Sequence, residues 1–192
     1  MSMKEAFDTF FAEMDNNSMK KFGELPSIPY IEGIVSKDLL VLDTLKNGYV
    51  VWRPELQKEH PSFDNVEKEL GFIIHPQIKE YLTTYWFRRL EAKINVSDED
   101  INFALDGMLP GKEIDDRVRG RLCTSDEHYL SNTNFLLGTY CRVRDNDGYL
   151  VCVNNETCEV SAVNVGARVS IKLANSIEEL LYNMRGIWTI KE

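Results

Sequence analysis

Three apolar runs separated by turn residues, in the C-terminal half of the chain, constrain its fold more than any other feature. Residues 135–144 and 149–154 read as strands joined by Asp145-Asn146-Asp147-Gly148, and a third strand over 158–163 follows the Asn154-Asn155-Glu156-Thr157 turn. Asp-Gly is favoured in tight hairpins because its backbone tolerates the positive φ they need. Such short links join only antiparallel neighbours, since parallel strands require a crossover of about a dozen residues. The chain is therefore committed to an antiparallel meander, and its helices must pack on or around that sheet.

The rest of the pattern supplies those helices. Over 4–16, Phe7, Phe10, Phe11 and Met14 share one helical face. A loop over 23–29 is punctuated by Pro26 and Pro29. Lys46-Asn47-Gly48 carries a hairpin signal between short strands at 39–42 and 48–52, and Pro54 ends the second. A polar loop over 55–61 leads to a short helix through Leu70, capped by Ser62 or Asp64, with Val66 and Leu70 inward. Pro76 suits the first position of the next helix, entered through His75, with Ile78, Leu82 and Tyr85 on one face beside Tyr81. Period-two alternation over 87–94 predicts a half-buried strand. An acidic turn, Ser97-Asp98-Glu99-Asp100, precedes another strand over 101–108. Residues 113–129 read as a helix through Ile114, Val118 and Leu122. Ser176 and Glu179 fit a capping box opening a last helix that buries Ile177, Leu180, Leu181 and Met184. The order predicts one α+β domain over 1–192, with helices around an antiparallel or mixed sheet that ends in a strand meander.

Composition narrows the function. The net charge of −9 repels phosphate backbones, so nucleic acid is a poor partner, and it attracts basic protein surfaces. No apolar run approaches the roughly 20 residues of a membrane-spanning helix. The N-terminus lacks the apolar core and small-residue site of a secretory signal. A cytoplasmic protein is expected, reaching a membrane only through a partner. Cys123, Cys141, Cys152 and Cys158 form no C-x-x-C pair and show no metal-ligand spacing to His60, His75 or His128. Buried, inert thiols are expected. No metal, cofactor or catalytic motif is read from the chain, which lacks a G-x-S-x-G elbow, a Walker A loop and a G-x-G-x-x-G turn. Placing Gly148 at the glycine position of a calcium loop puts Val143 and Asn154 where acidic ligands are required. Cys123 and His128 lie about 140° apart on a helix and do not face each other. His75 is expected to assist helix entry.

Three collinear segments resemble the Syd family, within the SUKH superfamily of α+β proteins. The first is Tyr49-Val50-Val51-Trp52-Arg53-Pro54 with Asn65-Val66-Glu67. The second holds Ile74, Pro76, Ile78, Tyr81, Thr83 and Thr84. The third joins Asn154-Asn155-Glu156-Thr157-Cys158-Glu159-Val160 to Leu173-Ala174-Asn175-Ser176-Ile177-Glu178-Glu179-Leu180. Residues 105–129 depart most from the family pattern.

The resemblance implies a non-enzymatic protein that binds the cytoplasmic face of SecY, a translocon subunit, through an acidic concave face, with translocon quality control as its role. It also implies peripheral association with the cytoplasmic side of the inner membrane. Proximity to the matching segments nominates Glu67, Glu69, Glu80, Asp98, Glu99 and Asp100 as docking acids. Trp52 and Tyr81 are candidate aromatic anchors beside them, although their apolar surroundings favour core packing. Other SUKH proteins neutralise toxins, so the alternative partner is a basic, nuclease-like toxin domain.

Overall fold

A reciprocal cap opens the first helix: the Ser2 hydroxyl accepts the Glu5 N–H, and the Glu5 carboxylate accepts the Ser2 N–H. The computed structural model of the chain describes residues 2–123, 133–143, 146–164 and 166–187. Helix α1 (Met3–Phe22) runs past the expected end at 16, because no breaker occurs before Gly23. At φ 68 this glycine takes the left-handed conformation that terminates helices. Phe7, Phe10, Phe11 and Met14 are buried on one face, as their spacing predicts.

A small sheet follows, made of β1 (Ser27–Pro29), β2 (Leu40–Lys46) and β3 (Tyr49–Trp52) in the order β1-β3-β2. The expected hairpin turn is present, with Asn47 and Gly48 both at positive φ. The segment read as a Pro-rich loop contains β1. Pro29 fits there because an edge strand needs no donor on its outer side. The expected polar loop likewise contains β4 (Glu55–Leu56), which pairs with β5 (Tyr85–Trp86). Between them lie α2 (Asp64–Leu70) and α3 (Pro76–Thr84). Phe63, not Ser62 or Asp64, holds the cap position of α2 and makes no side-chain cap bond, while the Ser62 hydroxyl accepts the N–H of Asp64, the first helical residue. His75 does cap α3, with Nδ1 accepting the Gln77 N–H.

Seven antiparallel strands form the main sheet. They are β6 (Leu90–Val96), β7 (Glu99–Leu105), β8 (Phe135–Val143), β9 (Asn146–Val153), β10 (Val160–Asn164), β11 (Val169–Ala174) and the two-residue β12 (Arg185–Gly186). Their order is β11-β10-β9-β8-β7-β6-β12, a continuous meander with the last strand added at the β6 edge. The predicted meander is therefore its central part, while β11 and β12 had no signal strong enough to be read. Asn146 and Gly148 belong to β9, and position 144 of the expected strand and 145 of the expected turn lie outside the described residues.

The helix α4 (Ile114–Arg119) is much shorter than the expected 113–129. Gly120 ends it, and Leu122 bridges Phe135 in extended pairing. Periodicity had counted Leu122 as a third helical turn; pairing with β8 claims it instead. Position 129 lies outside the described residues. The last helix, α5 (Ile177–Asn183), starts as predicted, with Ser176 accepting the Glu179 N–H. Glu179 turns to the Asn175 N–H and side-chain amide instead of completing the box.

Register explains which side chains form the core. Ile94 faces Ile101, Ala92 faces Phe103, Phe103 faces Cys141, and Cys141 faces Tyr149. Val151 meets Ala162, and Val153 meets Val160. Since alternate residues share a face, these positions make one apolar surface, covered by α1, α3 and α5. A smaller cluster of Cys123, Cys152 and Val163 uses the opposite face. The fold is α+β with helices packed on an antiparallel sheet, as the element order predicts.

Strand β8 carries several register irregularities, and Gly138 sits at them. A Cβ built there would lie 1.9 Å from the Ala104 carbonyl oxygen of β7. Only glycine permits that approach, so Gly138→Ala must push two central strands apart. The expected loss is about 3 kcal/mol, measured by chemical denaturation, and an unchanged midpoint would refute this close packing.

Candidate partner-binding surface

The second and third signature segments, far apart in sequence, meet at the start of α3. The Asn155 carboxamide accepts the His75 N–H and donates to the Ile73 carbonyl, both at 2.8 Å. The Cys158 thiol donates to Gln77 Oε1 at 3.2 Å, and Gln77 Nε2 donates to Glu178 Oε2 at 2.7 Å. The β9–β10 turn, α3 and α5 are thus tied through buried or half-buried polar groups. Cys158 itself takes positive φ, an uncommon conformation for a residue with a Cβ, held by its N–H bond to the Asn154 carbonyl.

Three nominated partner residues, Glu67, Trp52 and Tyr81, are turned inward. Glu67 has only 9% of its side chain exposed. Its Oε1 accepts the Ile74 N–H at 2.7 Å and lies 2.6 Å from Lys79 Nζ. Lys79 in turn sits over the Phe63 ring. Glu67 points in and Glu69 out because positions two apart on a helix diverge. Trp52 is buried because alternation on β3 sends it and Val50 to the core. Tyr81 has no exposed surface and lies in the aromatic cluster with Phe7 and Phe87. Burial pushes its hydroxyl up to about 12, and that oxygen has no hydrogen-bond partner among the described residues.

The other nominated acids are exposed but on separate elements. Glu69 grips Arg119 of α4 through two bonds, at 3.1 and 2.6 Å. The Arg119 hydrogen bond holds its carboxyl below the ordinary range. Asp100 bonds Lys93 at 2.6 Å and Asn95 at 3.2 Å, and these bonds likewise lower its carboxyl, Lys93 most. Asp98 occupies the β6–β7 turn with φ 66, and Glu99 opens β7. Glu80 lies on the outer side of α3.

Sequence proximity missed Glu178. Its carboxyl is raised, first by burial and then by the charge of Glu80. The Gln77–Glu178 bond sets Glu178 of α5 against α3, one helical turn from Glu80, so the two acids share a surface formed by α3 and α5. The only local signal was the SIEE start of α5, which gives no sign that α3 lies alongside. Glu156, on the β9–β10 turn, adds a further exposed acid near the same tie.

The expected burial of the thiols is observed, although the contact with Cys152 lowers the Cys123 thiol. All four are free and buried. Burial pushes the Cys141 thiol up to about 12 and Cys158 up to about 11. The Cys123 and Cys152 sulfurs touch at 3.8 Å. Among the described residues no group of three or more His, Cys, Asp or Glu side chains has metal-binding geometry.

Two outcomes follow. Glu67→Ala leaves Lys79 and the Ile74 N–H without their buried partner, and a loss of about 2–3 kcal/mol is expected by denaturation. Glu178→Gln keeps an acceptor for Gln77 but removes the charge. Because the folded carboxyl sits above its ordinary 4.5, ionised Glu178 costs stability at neutral pH, and the cost is relieved as pH falls through the folded value. Thermal unfolding of the variant is expected to be higher near neutral pH, with the difference vanishing below the ordinary value. An equal shift at all pH values would point to packing instead of ionisation.

Comparison with known proteins agrees with the placement of these segments. The model of the Syd protein family (SUKH-2) matches residues 4–185. A relative described as Protein Syd from Colwellia psychrerythraea is 25% identical over 187 residues, covering 94% of this chain and 90% of its own. Protein Syd from Alteromonas mediterranea is 29% identical over 140 residues, covering 72% of this chain and 74% of its own. The match runs from α1 to β12 and includes every element that builds the sheet and its helical cover, so the chain belongs to the Syd family.

Proposed function

We propose that this protein docks an exposed acidic surface onto the basic cytoplasmic loops of SecY, and so acts in quality control of the translocon without catalysing a reaction. The observation that carries this reading is family membership across nearly the whole chain. The physics supports it: membrane proteins carry an excess of Lys and Arg in cytoplasmic loops. A net charge of −9 steers such loops toward the surface. Glu80 and Glu178 supply the centre, since neither carboxylate makes a salt bridge among the described residues. Asp98, in the β6–β7 turn, is a further candidate acid on a separate element, while Glu69 and Asp100 contribute less because Arg119 and Lys93 already neutralise them. Such docking places the protein peripherally on the cytoplasmic side of the inner membrane. No described helix is long and apolar enough to cross it.

Binding to SecY-containing and SecY-depleted membrane vesicles at two salt concentrations tests the reading. SecY-dependent, salt-sensitive binding is expected. The double charge reversal Glu80→Lys and Glu178→Lys should weaken it at least tenfold and flatten its salt dependence, at about 1 kcal/mol per screened charge contact. Unchanged affinity of that variant would remove α3 and α5 from the docking surface. Absence of SecY-dependent binding would end the translocon reading.

A further inference from the structure

One pair of reactive groups belongs neither to the ties between helices nor to the docking surface. The Cys123 and Cys152 sulfurs lie 3.8 Å apart, on the face of the main sheet opposite its core. Val163, Leu136 and Leu150 pack around them. Of the other two thiols, Cys158 donates to Gln77 Oε1, and Cys141 lies between Phe103 and Tyr149.

The two cysteines reach this place differently. Cys152 lies inside the sheet, on β9, opposite Leu136 of β8 and Ser161 of β10. Cys123 ends a short extended run that follows α4. The Cys123 N–H donates to the Asn134 carbonyl, and the Leu136 N–H donates to the Arg121 carbonyl, so β8 holds that run. The Cys152 backbone is thus pinned by strands on both sides, and the run ending at Cys123 by β8. Cys123 is also the more accessible of the two, 8% exposed against 3%.

The sulfurs are unequal acids. Their shared hydrogen bond lowers the Cys123 thiol and raises that of Cys152, which burial raises further. The first proton therefore leaves Cys123, and its thiolate accepts the Cys152 S–H. A thiolate is the nucleophilic form of cysteine, and a second thiol within reach resolves its oxidised form.

We propose that Cys123 and Cys152 are a hydroperoxide-reactive pair, with Cys123 as the attacking sulfur and Cys152 as the resolving one. The Cys123 thiolate attacks one oxygen of hydrogen peroxide. The O–O bond breaks, the leaving hydroxide takes up the proton that Cys123 released, and Cys123 becomes a sulfenic acid. The Cys152 sulfur then attacks the Cys123 sulfur. The S–O bond breaks, and water leaves with the Cys152 proton. Two thiols and one peroxide thus give one disulfide and two waters, and two electrons pass from sulfur to oxygen. A small thiol such as glutathione reduces the pair by exchange, so the bond is transient in a reducing compartment.

Closing from 3.8 Å to the roughly 2.0 Å of a disulfide brings the sulfurs about 1.8 Å closer. The less pinned run, residues 121–123, supplies that movement together with side-chain rotation. It carries Arg121, whose guanidinium holds the Asp106, Gly107 and Leu136 carbonyls, so oxidation loosens the junction of α4 with β7 and β8. The pair uses the sheet face opposite α3 and α5, and its chemistry stands or falls without SecY.

Treatment of the reduced full chain with hydrogen peroxide, followed by thiol counting after denaturation, tests the pair. A fall from four thiols to two is expected, reversed by dithiothreitol. Peptide mapping should link residue 123 to residue 152 within one chain. Cys152→Ser should stop at a sulfenic acid on Cys123 that dimedone traps. Cys123→Ser should slow thiol loss by about tenfold or more, because burial keeps the remaining thiols protonated. The mapping uses the parent chain, so it decides the question even where a variant folds poorly. Four thiols retained, a bond between different chains, a pairing other than 123 with 152, or undiminished thiol loss in Cys123→Ser would overturn the proposal. Amide hydrogen exchange at Cys123 and Leu136 should quicken in the oxidised form, and a linked pair with unchanged exchange would overturn the movement of 121–123.

Discussion

The packing of Phe7 is the interaction on which the rest of the structure depends. Its ring lies 5.3–5.8 Å from the rings of Phe11, Tyr81, Tyr85 and Phe87. Those residues belong to α1, α3, β5 and the approach to β6, so one side chain joins the N-terminal helix to the middle of the chain. Aromatic contacts at these separations add to area burial and favour defined ring orientations. The Tyr85 hydroxyl then donates to Asp8, fixing the same junction at its polar edge. With α1 so placed, α5 packs beside it and the three helices cover the apolar face of the sheet.

Around this junction, a few polar side chains locate the loops. Glu67 and Asn155 hold the backbone between α2 and α3 from opposite sides, one from a helix and one from a β turn. Gln57 donates to the carbonyls of Leu82 and Tyr85 and accepts from Arg117, whose guanidinium stacks 4.6 Å from the Trp86 ring centroid. Arg121 donates to the carbonyls of Asp106, Gly107 and Leu136 and closes the gap where β7 leaves β8. Each satisfies backbone groups that extended pairing does not reach, which buried peptide requires. The family resemblance therefore falls on residues that assemble the scaffold. Asn155, Gln77 and Glu178 form one connected network, although Glu178 also presents charge at the surface.

That division separates two uses of charge. Glu67 is committed to a buried pair, and Glu69 and Asp100 are held by an arginine and a lysine at the surface. Glu80 and Glu178 repel one another, and burial makes Glu178 costly to ionise. Like charge of this kind is destabilising in the free protein, and here the N-terminus and His75 offset only part of it. Acids clustered in sequence are thus poorer docking candidates here than acids brought together from two helices.

Much of the architecture was legible locally. Alternation fixed which face of β6 turns inward, Asn47-Gly48 fixed a hairpin, and Pro76 and Ser176 fixed two helix starts. These features depend on neighbours within a few residues, where backbone sterics and side-chain capping act. The three aligned segments also sufficed to identify the family. Illegible elements were those without such local cause. Residues 121–123 have helical periodicity but pair with β8; β12 is two residues held by β6; and Gly138 is required only because Ala104 lies beneath it. The sequence by itself determined an α+β chain with an antiparallel meander and an acidic surface, because period, turn chemistry and net charge are carried by the residues themselves. Only the tertiary structure decided that Glu67, Trp52 and Tyr81 are internal and that Glu80 and Glu178 share a surface, because burial and the pairing of charges depend on elements distant in the chain.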